Sequence, residues 1–298
     1  MDDHRKYLQP NTIAKLANIE LKARLVVEGF ITGLHRSPYH GFSVEFAEHR
    51  QYRNGDEIRH IDWKVFGRTD KYYVKQFEEE TNLRSMIAVD SSASMKFASE
   101  GNISKFEYAS YLAAALSYLL LKQRDAVGLT IYDTEIKTFI PASSRQSYIH
   151  NILRALDTTV PANQTGTAQA LDLLAERIRR RGLVVIISDF FDDLKSVISA
   201  LQHFRHKKHE VLVFQLLDPR EIDFKFGRNA VFKDMEMGDE MTTQPYQIQK
   251  AYAETMQEFT SEIKKACRNA NIDYNLINTS EPFDKAMKEF IAKRNQMM

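Results

Sequence analysis

The 298-residue chain has a single cysteine, Cys267. That excludes an internal disulfide framework and a cysteine-based zinc site, and it points to a reducing compartment, the cytoplasm. Glycine and proline are scarce, at 11 and 7 residues, where average usage would give roughly 20 and 15. Little of the chain is therefore left for linkers or low-complexity segments. Neither sign of charge dominates: 41 Lys plus Arg face 40 Asp plus Glu, a formal net charge of +1. Neutralising nucleic-acid phosphates needs a clear basic excess, so that class of partner is not expected. No apolar run approaches the ~18 residues of a membrane span, and the opening MDDHRKYLQPN lacks a basic-then-apolar leader pattern. What remains is 43% hydrophobic and 27% charged, enough for one large core or a domain with a smaller companion.

Apolar residues at helical spacing, from Ile13 through Val26 and Val27 to Phe30, predict one amphipathic helix over residues 12–33, stopped at Gly33. Residues 37–80 turn densely charged and aromatic, with turn signals at Ser37-Pro38 and Asn54-Gly55-Asp56, and predict a small, mainly extended subdomain. From Leu83 onward short apolar runs alternate with helical ones. Strands are expected over 86–89, 126–132, 136–140, 183–187, 211–217 and 272–277. Helices are expected over 104–123, opened by the capping box Ser104-x-x-Glu107, and over 145–156, 168–180, 194–206, 247–268 and 283–291. Strands reading as continuous apolar runs between helices imply a doubly wound α/β domain with a mostly parallel sheet, Rossmann-like in architecture. The expected division is thus 1–82 for the N-terminal helix and charged subdomain and 83–298 for the α/β domain. Residues 218–245 form an excursion, with a hairpin expected around Gly238-Asp239.

In open α/β sheets the ligand crevice lies at the carboxyl ends of the strands. The first strand ends in Val89-Asp90-Ser91-Ser92-Ala93-Ser94, which places Asp90, Ser92 and Ser94 at i, i+2 and i+4 on one short loop. The strand at 183–187 ends in Ser188-Asp189, and Thr165-Gly166-Thr167 precedes a helix. Side by side, Asp90, Ser92, Ser94, Thr167 and Asp189 offer five oxygens, a set suited to a hard cation such as Mg²⁺. The alternative is local: Asp90 capping its loop and the serines satisfying backbone donors.

Asp-x-Ser-x-Ser after a buried strand, Gly-Thr at the head of a later helix and Asp at a later strand end resemble the metal-ion-dependent adhesion site of von Willebrand factor A domains. The resemblance implies a divalent cation, Mg²⁺ or else Mn²⁺ or Ca²⁺, held by Asp90, Ser92, Ser94, Thr167 and Asp189, with Thr165 competing for the place of Thr167. It also implies an open coordination position that accepts an acidic side chain from a protein partner. The segment GFSVEFAEHRQYRNGDEIRHIDWK at 41–64, then YVKQFEEE at 73–80 and DAVGL at 125–129, is similar to the bacterial DUF58 family, whose members join such a segment to a von Willebrand A-like domain. That likeness implies association with a MoxR-type AAA+ ATPase in chaperone-like maturation of protein complexes. Read without the family, the Arg50 to Lys64 motif is dense enough in Arg and Asp to pair internally and lock the subdomain in place.

The function expected is therefore a non-enzymatic, cation-dependent protein-binding module. The alternative is a phosphotransferase or hydrolase using the Asp90 crevice. Against it, the residue two beyond Asp90 is Ser92 rather than a second carboxylate, and neither a Gly-x-Ser-x-Gly elbow nor a phosphate-binding Gly-x-x-x-x-Gly-Lys loop is present. The basic runs at 177–181 and 203–209 read as solvated helix ends complementing the helix dipole.

Overall fold

The structure, a computed structural model, describes residues 9–16, 18–35, 50–51, 63–74, 83–162, 166–226, 230–233 and 240–297. In chain order its helices are α1 (Pro10–Ala14), α2 (Ile19–His35), α3 (Trp63–Thr69), α4 (Lys105–Lys122), α5 (Ile149–Thr158), α6 (Thr167–Arg177), α7 (Leu194–His206), α8 (Pro219–Asp223), α9 (Pro245–Asn269) and α10 (Asp284–Gln296). Its strands are β1 (Arg50–Gln51), β2 (Tyr73–Val74), β3 (Arg84–Asp90), β4 (Ala126–Tyr132), β5 (Ile136–Ser143), β6 (Leu183–Ser188), β7 (Glu210–Leu217), β8 (Ala230–Lys233), β9 (Glu240–Thr243) and β10 (Asp273–Asn278).

Six strands form one sheet in the order β10-β7-β6-β3-β4-β5. All neighbours are parallel except β5, which folds back antiparallel on β4. The doubly wound, mostly parallel α/β fold expected from the alternation of strands and helices is the fold observed. The chain leaves β3 toward β4 on one side and returns to β6 on the other, so the winding reverses between β3 and β6. A crevice opens at such a reversal, beyond the strands' carboxyl ends.

Side chains alternate across the sheet. Ile87, Val89, Val185, Ile187, Leu212 and Phe214 face a core shared with α2, α4, α5 and α10. Met86, Ala88, Val184, Ile186, Val211 and Val213 face one shared with α6, α7 and α9. Helix α4 is apolar nearly all round, and a helix of that kind needs cover on both sides. The sheet supplies one cover and α2 the other, through Ala23, Val26, Val27 and Phe30. The Lys22 ammonium donates to the Tyr111 hydroxyl at 2.8 Å across that contact. The capping box read at the head of α4 is present: the Glu107 backbone N–H donates to Ser104 Oγ, and the Ser104 N–H donates to Glu107 Oε2.

Several expectations need correction. The single helix over 12–33 is two, because Asn18 accepts the Glu20 backbone N–H at 2.7 Å and starts a new helix there. Helix α2 also runs past Gly33 to His35. Residues Trp63–Thr69, expected to be extended, are helical, with Phe66 stacked on Tyr72 at 4.5 Å. Within 218–245 the hairpin is there as β8 paired with β9, but a short helix, α8, precedes it. Its turn, the bulk of the Arg50 to Lys64 motif and Thr165 lie outside the described residues, as does any contact of the excursion with the charged N-terminal segment.

Because α2 closes the second side of α4, Phe30→Ala should lower global stability by about 3–5 kcal/mol, as for other buried Phe deletions. Urea denaturation should show a single transition moved to lower urea. A separate early transition confined to the N-terminal helices would contradict the shared core.

Candidate functional site

The crevice is built from the ends of β3 and β6 and the start of α6. Asp90 closes β3 and is fully buried. Its Oδ1 accepts the Ser92 backbone N–H at 2.8 Å. Its Oδ2 accepts the Ser188 hydroxyl at 2.6 Å and the Thr167 hydroxyl at 3.1 Å. The Ser92 and Ser94 hydroxyls lie 3.1 Å apart. Asp90, Ser92, Ser94 and Thr167, separated by up to 77 positions, are therefore drawn into one oxygen cluster.

Local structure explains the convergence. After Asp90 the chain turns tightly: the Ser91 backbone N–H and hydroxyl both donate to the Tyr132 carbonyl of β4, at 2.7 and 2.9 Å. Thr167 starts α6 directly after Gly166, and a Cβ on Gly166 would stand 2.7 Å from Thr134 Cα. Only glycine allows that approach, which brings the head of α6 down onto the β4–β5 turn. The Ala168 backbone N–H donates to Asp192 Oδ2 at 3.1 Å, tying α6 to the loop after β6. In that loop Phe190 is buried with φ of +61°, a left-handed turn that costs a non-glycine residue about 1–2 kcal/mol. The turn immediately follows Asp189.

Asp189 is fully buried beside the cluster, and its own partner is an ammonium group. Lys105, at the first position of α4, donates to Asp189 Oδ2 at 2.7 Å and also to Glu221 Oε1 of α8. The same ammonium lies 4.6 Å from the centre of the Phe191 ring. Burial opposes the lysine's charge, but Asp189 and Glu221 outweigh it and raise its pKa. Glu221 is pushed up to about 7, chiefly by burial. It also receives the Asp218 backbone N–H in the capping box of α8. The Asp189 backbone carbonyl is held by Gln215 Nε2 at 2.9 Å, and Tyr274 donates to the other end of that amide at 2.6 Å.

Three carboxylates, one ammonium and four hydroxyls thus share the crevice. Burial first, and the Asp189 charge second, raise the Asp90 pKa to about 6, against the hydrogen bonds that favour its ionised form. The Tyr132 hydroxyl is also buried there, beside Ser188 and Thr167, and its pKa rises through burial first and the Asp90 charge second. An added positive charge would offset the burial of two carboxylates, and the donors are all oxygen. The cluster is consistent with a hard divalent cation.

Lys105, Glu221 and Tyr132 were not expected at this site, and Ser188 was read only as the end of its strand. Lys105 did carry a signal: a lysine in the first turn of a capped helix opposes the helix dipole, which favours acidic residues there. Glu221 and Tyr132 had none, since only the sheet order brings α8 and the end of β4 to this loop.

The chain matches the family described as "Protein of unknown function DUF58" over residues 48–262. It belongs to the DUF58 family. An uncharacterized protein of Mycobacterium bovis and one of Mycobacterium tuberculosis are each 32% identical to it over 234 residues, covering 77% of this chain and 72% of theirs. Among solved structures it is similar to the conserved hypothetical protein BatB of Bacteroides thetaiotaomicron (TM-score 0.48, 18% identity, 72% of this chain and 99% of that one). A second is an aerotolerance-related membrane protein of Bacteroides fragilis carrying mutations to serine (TM-score 0.46, 19% identity, 71% and 99%). In this DUF58 chain no helix among the described residues is long and apolar enough to cross a membrane.

Two predictions follow from the buried charges. Asp90 binds its proton more tightly folded than unfolded. Its contribution is therefore most favourable below about pH 4, declines as pH rises from about 4 to 6, and then levels off up to about 3 kcal/mol lower. With chelator present, Asp90→Asn should remove that decline, so the variant's melting temperature gains on the wild type between pH 4 and 6. A constant difference across that range would refute the assignment. Lys105→Met should cost about 3–5 kcal/mol by leaving buried carboxylates without a counter-charge. Adding Glu221→Gln should recover part of the loss in a double-mutant cycle.

Proposed function

We propose that this DUF58 chain is a non-enzymatic, divalent-cation-dependent protein-binding module. The observation that carries the reading is the convergence of the Asp90 carboxylate with the Ser92, Ser94 and Thr167 hydroxyls at the sheet's winding reversal. That set resembles the donors of a metal-ion-dependent adhesion site. Asp90, Ser92, Ser94 and Thr167 would hold Mg²⁺, or Mn²⁺ or Ca²⁺, while Asp189, expected among the ligands, is paired with Lys105. The cation would supply an open coordination position for a carboxylate.

The chain's own residues prepare that exchange. Ser188 and the Ser92 backbone N–H orient Asp90, and Lys105 neutralises Asp189 so that the site does not carry two uncompensated carboxylates. With Asp90, Asp189, Glu221 and Lys105 all counted, a bound dication brings the crevice to formal neutrality, and its open coordination position would take an acidic side chain from a partner. The partner proposed is a MoxR-type AAA+ ATPase, acting with this protein in the cytoplasm during maturation of protein complexes. A phosphotransferase or hydrolase reaction at Asp90 is disfavoured. Both carboxylate oxygens are engaged by hydrogen-bond donors, and the group is fully buried, so a nucleophilic attack would have to break those bonds first.

Isothermal titration with Mg²⁺ and Mn²⁺ should show one site, lost in Asp90→Ala. Affinity capture from native lysate should recover an AAA+ ATPase with Mg²⁺ present, and lose it with chelator or with Asp90→Ala. Absence of any saturable cation binding would refute the reading. ATPase recovery that ignores both chelator and the variant would place the docking face elsewhere.

A further inference from the structure

A second concavity lies at the opposite end of the same strands, about 20 Å from the crevice at ~3.3 Å per residue along β3. Its volume is about 230 Å³. The floor is apolar, formed by Met86 and Val184 of the central strands with Phe139 and Pro141 of β5. The rim is cationic: Arg84 at the start of β3, Arg177 at the end of α6, and Arg179 and Arg180 in the connection to β6 all line it. None of these four guanidinium groups forms an ion pair among the described residues, whereas the neighbouring Arg181 reaches Glu210 at 4.0 Å. The Arg177 guanidinium carbon lies over the Phe139 ring, 4.2 Å from its centre. That contact anchors the guanidinium at the pocket mouth and leaves its donors available.

The pocket is built into the fold rather than left over from a loose surface. Gly182 enters β6 so close to β3 that a Cβ would stand 2.1 Å from the Arg84 carbonyl oxygen, which holds the α6–β6 connection and its arginines against the sheet end. His209, which is 1% exposed, also lines the pocket. The 177–181 run is solvent-exposed, as expected of a helix end, and Arg177, Arg179 and Arg180 also line the apolar recess.

We propose that this recess is a binding site for a small anion carrying an apolar group, a phosphate or carboxylate on an aryl or short aliphatic body. Guanidinium forks match the planar or tetrahedral oxygens of such anions, and the floor takes the apolar part. Four unpaired cations around an apolar cup disfavour a neutral or cationic ligand. The volume suits a ligand of about ten heavy atoms, below the usual drug-sized range. The site is independent of the Asp90 crevice and of its proposed function.

Isothermal titration of the full chain, with chelator present to silence the crevice, tests this with phenyl phosphate, inorganic phosphate and benzyl alcohol as probes. Phenyl phosphate should bind at one saturable site, about tenfold or more tighter than either of the other two, and added salt should weaken it. Arg179→Gln with Arg180→Gln removes two exposed rim charges and should leave the melting temperature unchanged, yet weaken phenyl phosphate by about tenfold or more. The proposal is overturned by absence of saturable binding, by equal affinity for inorganic phosphate, or by a double variant that binds as the wild type does.

Discussion

The buried Asp90 carboxylate constrains the rest of this structure more than any other single group. A carboxylate taken out of water must collect hydrogen bonds or positive charge, because an isolated buried anion costs several kcal/mol or gives up its charge. Asp90 collects them from three separate parts of the chain: its own loop, the end of β6 and the first residue of α6. The loop, strand and helix must all arrive at one point for that to happen. The winding reversal between β3 and β6 is the place in the sheet where they can.

Lys105 solves a related problem for the neighbouring carboxylate. Asp189 accepts the Phe191 backbone N–H and an ammonium group sent from the head of α4, which also engages Glu221 on α8. The result is a connected set of charges reaching from the central strands to the first residues of the 218–245 excursion. Asp218 extends it, accepting the Ser99 backbone N–H and hydroxyl, both at 3.0 Å, from the loop that follows β3.

The two ends of the sheet are chemically opposite. At the carboxyl ends of the strands acidic and hydroxyl oxygens converge, and at the amino ends arginines gather around an apolar recess. A net charge of +1 conceals this separation, because whole-chain arithmetic averages over faces that the fold keeps apart. The near neutrality made a phosphate-backbone partner unexpected, but it said nothing about local anion or cation sites.

Much of the architecture was legible in the sequence. The apolar runs that became β3, β4, β6 and β7 are continuous because both of their faces are covered, and the capping box at Ser104 marked the start of α4 to the residue. Asp90, Ser92 and Ser94 were legible as a group because their spacing on one loop is local chemistry. The break at Asn18 and the short helices α3 and α8 were not, since side-chain caps and aromatic stacking override an averaged periodicity. The partnership of Lys105 with Asp189, 84 positions away, and the ring of arginines around Phe139 were decided only by the tertiary structure. Sequence records which groups need a partner, through burial-prone strands and charges in unfavourable places. Which partner each one meets depends on the strand order, and that order minimises the free energy of the whole sheet rather than of any one segment.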